Sequence, residues 1–163
     1  MKAFFFLQFY FLLLFSFISI SGFGVIFSRI LKNNINYQQS NDNNFFNGIL
    51  LLLPICYLKI FFFNTNILLS IFIFLIGIFF YFKKFEKSSF LLELLITLIF
   101  FIGIIISKTH EDFLYYHLQY IREISSDKFI FGLAVADIKY FYGSSIAYLQ
   151  SMYLFESNKF NFI

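Results

Sequence analysis

The chain has 163 residues, 60% hydrophobic, 25% aromatic and 13% charged, with a formal net charge of +3 and a mean hydropathy of +0.80. Soluble domains carry about 25% charged residues, and a soluble fold of this size could not hide so much apolar surface, so lipid must cover part of it. The positive charge is small and scattered, which gives nucleic acid no basic stripe, and the single cysteine, Cys56, excludes an internal disulfide and CxxC chemistry.

Four apolar runs follow one another, at residues 4–27, 45–63, 67–82 and 90–106. A helix crosses a ~30 Å hydrocarbon core with about 20 apolar residues. The runs are continuously apolar and do not alternate as barrel strands do. The expected fold is therefore all-α, with about four transmembrane helices over residues 1–107. Pro54 lies inside the second run, where a membrane helix tolerates it. The first run could instead be a signal peptide, with Lys2 as its basic start and Ser19 and Ser21 as the small residues before a cut. Its apolar stretch exceeds the usual ~7–15 residues of such a segment, which favours a retained helix.

Polar punctuation separates the runs: "NNINYQQSNDNN" at 33–44, "NTN" at 64–66 and "KKFEK" at 83–87. Lysine and arginine mark cytoplasmic loops. Lys83, Lys84 and Lys87 therefore put the third loop inside, and Arg29 and Lys32 agree. The N-terminus, the "NTN" turn and everything after Ile106 are then expected outside. Among polar residues near the runs, Glu93 is expected at the interface beside Lys87, and Lys59 is expected to snorkel to the outer interface. Asn47 needs no special role.

Residues 108–163 differ in kind and are expected to form an extracytoplasmic juxtamembrane segment. Residues 110–124 read as a helix lying on the outer surface, "SSDK" as a turn and 129–137 as a short apolar piece. Residues 142–155 read as a second helix, with Ile146, Leu149, Met152 and Tyr153 sharing one face.

"SKTHEDFLYYHLQYIRE", residues 107–123, concentrates the polar chemistry. It has a structural reading. Thr109 and Asp112 fit a capping box, Glu111 and Asp112 suit the positive end of a helix dipole, and Tyr115, Tyr116 and Tyr120 suit an interfacial aromatic belt. It also has a chemical reading, in which a carboxylate at a membrane exit acts as general base on a lipid-delivered substrate. Asp112 and Tyr116, four apart, share a helix face. His117 lies about 140° round the helix from Asp112 at ~3.6 residues per turn, so a metal pair is weak. No cofactor is expected, and a divalent metal is the lesser alternative. Phosphate loops, nucleophile elbows and HExxH are absent from the sequence.

The stretch "EDFLYYHLQYIREISSDKFIFGLAVADIKYFYGSSIAYLQSMY" resembles a group of uncharacterised multi-pass bacterial membrane proteins. In these, opening helices precede a D-x-x-x-Y-H-L-x-Y segment, matched here by Asp112, Tyr116, His117, Leu118 and Tyr120. An I-x-G-L piece follows, matched by Ile130, Gly132 and Leu133, and then an S-S-I-x-Y-L helix at 144–149. That group is similar to the GT-C glycosyltransferases, which use a polyprenyl-phosphate sugar and an acidic residue in the first large extracytoplasmic loop. The resemblance implies a transferase moving a sugar from a lipid-phosphate carrier to a cell-surface glycan or lipid in the bacterial plasma membrane. Asp112 or Glu111 would be its general base. Tyr116 and His117 could hold the acceptor or the carrier phosphate, and Tyr120 and Arg122 complete the substrate-binding candidates. Its partners would be the bilayer and the lipid-linked sugar, with no nucleic acid. GT-C enzymes have many more helices, which implies that this chain is an N-terminal part, and three helices here precede the one expected first. The competing reading is a non-catalytic multi-pass protein, such as a transporter fragment or an assembly factor.

Overall fold

The structure, a computed structural model, describes residues 2–34, 44–62, 67–85, 87–106, 120–122, 124 and 145–153. Every element among the described residues is an α-helix: α1 (Lys2–Asn34), α2 (Asn44–Phe62), α3 (Ile67–Lys83), α4 (Lys87–Ile106) and α5 (Ser145–Met152). Residues 120–122 and 124 are helical as well. A helix satisfies its backbone groups within its own segment, which long apolar runs require wherever water is scarce. The first four helices fall on the four apolar runs. α1 continues past the expected end at 27 to Asn34, through Arg29 and Lys32. Charged residues end a hydropathy run, but they do not end a ladder of backbone hydrogen bonds. α2 passes through Pro54 unbroken.

Two helices are long and apolar enough to cross a membrane, over Phe6–Lys32 and Lys87–Ile106. The other two are apolar but shorter, over Asn44–Lys59 and Leu68–Lys83. At ~1.5 Å per residue, the 19 residues of α2 reach roughly 28 Å and the 17 of α3 roughly 25 Å, a little short of a ~30 Å core. The expectation of about four crossings is met by length in two helices. α4 carries apolar side chains on all sides, and Thr97 alone of its residues is buried. Leu92, Leu95, Ile99, Ile102 and Ile106 are all exposed. A helix that is hydrophobic all round belongs in lipid or in a large core.

The chain divides into two compact units: Met1–Leu52 with Ile73–Lys108, and Leu53–Phe72 with Thr109–Ile163. In the first, a seam of small residues runs along α1. Ser19, Ser21, Gly22, Gly24 and Ser28 are all buried. Gly22 lies against the backbone of Gly77 in α3, so closely that a Cβ on Gly22 would strike the Gly77 carbonyl. Ser19 donates a hydrogen bond to the Phe74 carbonyl at 3.0 Å, and Asn47 donates to the Ser28 hydroxyl at 3.1 Å. Small residues and interhelical hydrogen bonds of this sort hold helices together where the hydrophobic effect cannot discriminate. Ser19 and Ser21, which could read as a cleavage region, are thus buried in a helix–helix contact, and Asn47 has an interhelical bond to make. Leu14, Ile18 and Tyr81 form the core beside the seam. Phe17 stacks on Phe45 with centroids 4.7 Å apart, and Tyr10 packs edge-on against Phe101 at 5.3 Å. The end of α3 closes through Lys84 N–H to the Tyr81 carbonyl at 3.1 Å, and Phe82, Phe85 and Phe90 pack in series over the turn.

In the second unit, Ile121 and Ala147 are buried together, with Tyr120 and Ile124 against them. α5 lies within the expected second helix, but its buried face is different. Ala147, Tyr148, Ser151 and Met152 are buried, while Ile146 is exposed. The small side chains of Ala147 and Ser151, one turn apart, allow close approach. Tyr148 has a ring and a hydroxyl partner on the same face, which outweighs the burial of one isoleucine.

Candidate functional site

Four of the residues singled out from the sequence, Glu111, Asp112, Tyr116 and His117, lie outside the described residues, as does Thr109. The remaining two, Tyr120 and Arg122, are described. Tyr120 is half-buried and Arg122 exposed. Two positions apart on a helix, they point about 200° from each other at ~3.6 residues per turn, so the backbone does not bring them to one face.

Tyr120 belongs to a cluster of hydroxyl groups within the second unit. Its hydroxyl donates to that of Tyr148 in α5 at 3.4 Å. The Tyr148 ring packs against Tyr57 of α2, with centroids 5.0 Å apart at 61°. The Tyr57 hydroxyl is 2.9 Å from the Ser145 hydroxyl at the start of α5. Burial raises the Tyr120 phenol above its ordinary value, and the Tyr148 hydroxyl beside it adds to the rise. An aromatic body with a polar tip suits ligands that are part apolar and part hydroxylated. In the sequence Tyr120 is both an interfacial ring and a substrate-binding candidate, while Tyr57 and Tyr148 carry no signal. Their pairing joins residues 91 positions apart, and no local pattern announces it.

Near this cluster in sequence, Lys59 and Cys56 are both buried on α2. The Lys59 Nζ is covered and closes no hydrogen bond among the described residues. It does not snorkel outward as expected, because protein atoms surround it.

The first unit contains a second polar cluster. Glu93 sits in the second turn of α4, which begins at Lys87. The hydroxyls of Ser21 in α1 and Tyr81 in α3 lie near its carboxyl. It was expected to lie at the interface beside Lys87. One carboxyl oxygen, Oε2, is buried, while the residue as a whole is half-exposed. Three helices each place one polar group at this point. The available sequence signal was an oxygen-bearing side chain in each apolar run, but α1, α3 and α4 are apolar on every side, so no periodicity shows which faces meet.

Among the described residues no three His, Cys, Asp or Glu side chains come together. Compared with family models, curated proteins and solved structures, the chain matches none.

Proposed function

We propose that this protein is a multi-pass protein of the bacterial plasma membrane, of GT-C-like type, that transfers a sugar from a lipid-phosphate carrier to a cell-surface glycan or lipid. All four apolar helices cross the bilayer in this reading. The "KKFEK" loop is cytoplasmic, and residues after about 107 lie outside with surface helices on the membrane. α4 supports the membrane assignment, since its exposed leucines and isoleucines suit lipid. Burying one such side chain is worth about 1.5–3 kcal/mol, and α4 exposes many. Asp112, or Glu111 beside it, takes a proton from the acceptor hydroxyl. Tyr116, His117, Tyr120 and Arg122 bind the acceptor or the carrier phosphate.

The observation that carries the substrate side is the Tyr57–Tyr120–Tyr148–Ser145 cluster. It gathers four hydroxyls and three rings in the unit that also contains Thr109–Ile163. Rings and hydroxyls together recognise the faces and edges of a sugar. The test is direct. Membranes producing the full-length protein receive a radiolabelled sugar on a polyprenyl phosphate, and label entering glycolipid or polysaccharide is counted. Transfer above that of membranes without the protein supports the reading, and no excess over a panel of carrier-linked sugars rejects it.

A second reading, a non-catalytic membrane protein such as a transporter part, is favoured by a different observation. Glu93 lies among the helices with hydroxyl neighbours, and ionisable residues in such positions commonly mark ion or proton pathways.

A further inference from the structure

The turn between α3 and α4 joins two features that sugar transfer leaves unused. Lys83, Lys84 and Lys87 lie within one five-residue stretch, whose acid is Glu86, so the stretch carries a net charge of +2. Lys83 ends α3 and Lys87 begins α4, and both are exposed. Large rings stand outward on the same turn, Phe82 being 49% exposed and Phe85 50%.

The fold holds these rings in place. Phe90 is half-buried and packs on the core of Leu14, Ile18 and Tyr81. Phe85 packs on Phe90 with centroids 5.7 Å apart, and Phe82 stacks on Phe85 at 6.1 Å and 17°. The backbone beneath is closed by Lys84 N–H to the Tyr81 carbonyl and by Phe85 N–H to the Phe82 carbonyl at 3.3 Å. Away from the turn, apolar exposure continues through Phe79 on α3 and through Leu91, Leu92 and Leu95 on α4. A lipid-facing surface therefore ends in rings with ammonium groups among them.

Three surroundings can be compared. Water solvates the lysines and leaves the rings exposed at a cost. An acidic protein segment would answer the lysines and leave the apolar flanks bare. An anionic phospholipid answers both, its phosphate meeting the lysines and its glycerol and acyl chains lying against the rings. A zwitterionic lipid brings a cation of its own, which a net charge of +2 disfavours. We propose that the α3–α4 turn binds anionic phospholipid headgroups, with Lys83, Lys84 and Lys87 meeting the phosphate and Phe82 and Phe85 seated where headgroup gives way to acyl chain. The proposal rests on the membrane assignment and is independent of sugar transfer.

The test uses the full-length protein reconstituted into phosphatidylcholine vesicles that contain a photoactivatable phospholipid in both leaflets, so orientation does not matter. The probe carries either a glycerol or a choline headgroup on identical chains. After illumination, mass spectrometry measures adducts on the peptide holding residues 82–90. A basic residue near an anionic surface is worth about fivefold in binding. The phosphatidylglycerol probe should therefore label this peptide about fivefold or more above the phosphatidylcholine probe at low salt. The excess should shrink toward unity at about 1 M salt, where the screening length is roughly 3 Å. Replacing all three lysines by glutamine should remove the excess and leave labelling by the choline probe unchanged. Phe82→Ala with Phe85→Ala should lower labelling by both probes and keep their ratio. Equal labelling by the two probes would overturn the proposal and leave the lysines to an acidic protein partner, and an excess that survives in the lysine variant would overturn it as well. Protein that fails to enter the vesicles would sink the membrane assignment, and the proposal with it.

Discussion

Gly22→Ala tests the helix packing most sharply. The added methyl carbon would lie against the Gly77 carbonyl oxygen, 2.6 Å from its carbonyl carbon and 3.1 Å from its Cα. Carbon atoms rest at about 3.5–4.0 Å, so α1 and α3 must part by roughly 1 Å at the seam. The neighbouring Ser19-to-Phe74 hydrogen bond, now 3.0 Å, would stretch with them. Its loss is worth about 0.6 kcal/mol, and up to ~1.7. Overpacking a close contact adds roughly 1–3 kcal/mol. Against this, alanine favours the helix over glycine by about 1 kcal/mol. The net expectation is a destabilisation of about 1–3 kcal/mol. Gly103→Ala is the control, because nothing lies within 4 Å of a Cβ there, and it should be neutral or mildly stabilising. Both variants are unfolded by titrating dodecyl sulfate into mixed micelles, followed by circular dichroism. If Gly22→Ala unfolds at the same dodecyl sulfate fraction as Gly103→Ala, the α1–α3 contact described here is wrong.

Two further outcomes are expected. With Cys56 replaced, cysteines introduced at Ser88 and Ser126 should differ in labelling by a membrane-impermeant thiol reagent, residue 126 reacting in intact cells and residue 88 after lysis; labelling of residue 88 alone in intact cells would invert the topology. Burial and the Tyr148 contact raise the Tyr120 phenol, so the fold favours its neutral form. Its contribution to stability is complete below about pH 10, the unfolded value, and is lost as the pH rises from there through the higher folded value. Tyr120→Phe should therefore flatten the alkaline end of the stability curve while costing about 1 kcal/mol at neutral pH, and an unchanged alkaline slope would remove Tyr120 from the buried cluster.

The helices were legible because an apolar run of membrane length states its own conformation. Residues 67–82 and 90–106 came within three residues of α3 and α4. The far end of α1 was missed by seven residues, since Arg29 and Lys32 interrupt hydropathy and leave the helix intact. What met what was not legible. A soluble helix shows its buried face through a polar opposite face, and α1, α3 and α4 have none. The serines and glycines between residues 19 and 28 were visible, but they read equally as a cleavage region. Ile146 misled for a related reason: hydrophobicity alone selected it, while the Tyr148–Tyr57 pairing turned α5 to bury Ala147 and Ser151 instead. The Glu93 carboxyl was visible as a lone acid in an apolar run, and its distance from Ser21 in the chain hid their meeting.

If the acidic stretch after α4 does chemistry, Asp112→Asn should expose it in sugar transfer. The amide keeps the shape and much of the capping capacity of the acid, but it cannot accept the proton. Transfer by the full-length protein should fall by about 10² or more, the usual worth of general-base catalysis, with membrane abundance unchanged. Thr109→Ala, which removes the proposed cap at a cost of roughly 1 kcal/mol of local helix stability, should leave transfer near wild type. Equal and mild effects from the two substitutions would contradict the claim and leave residues 107–123 as the capped start of an interfacial helix.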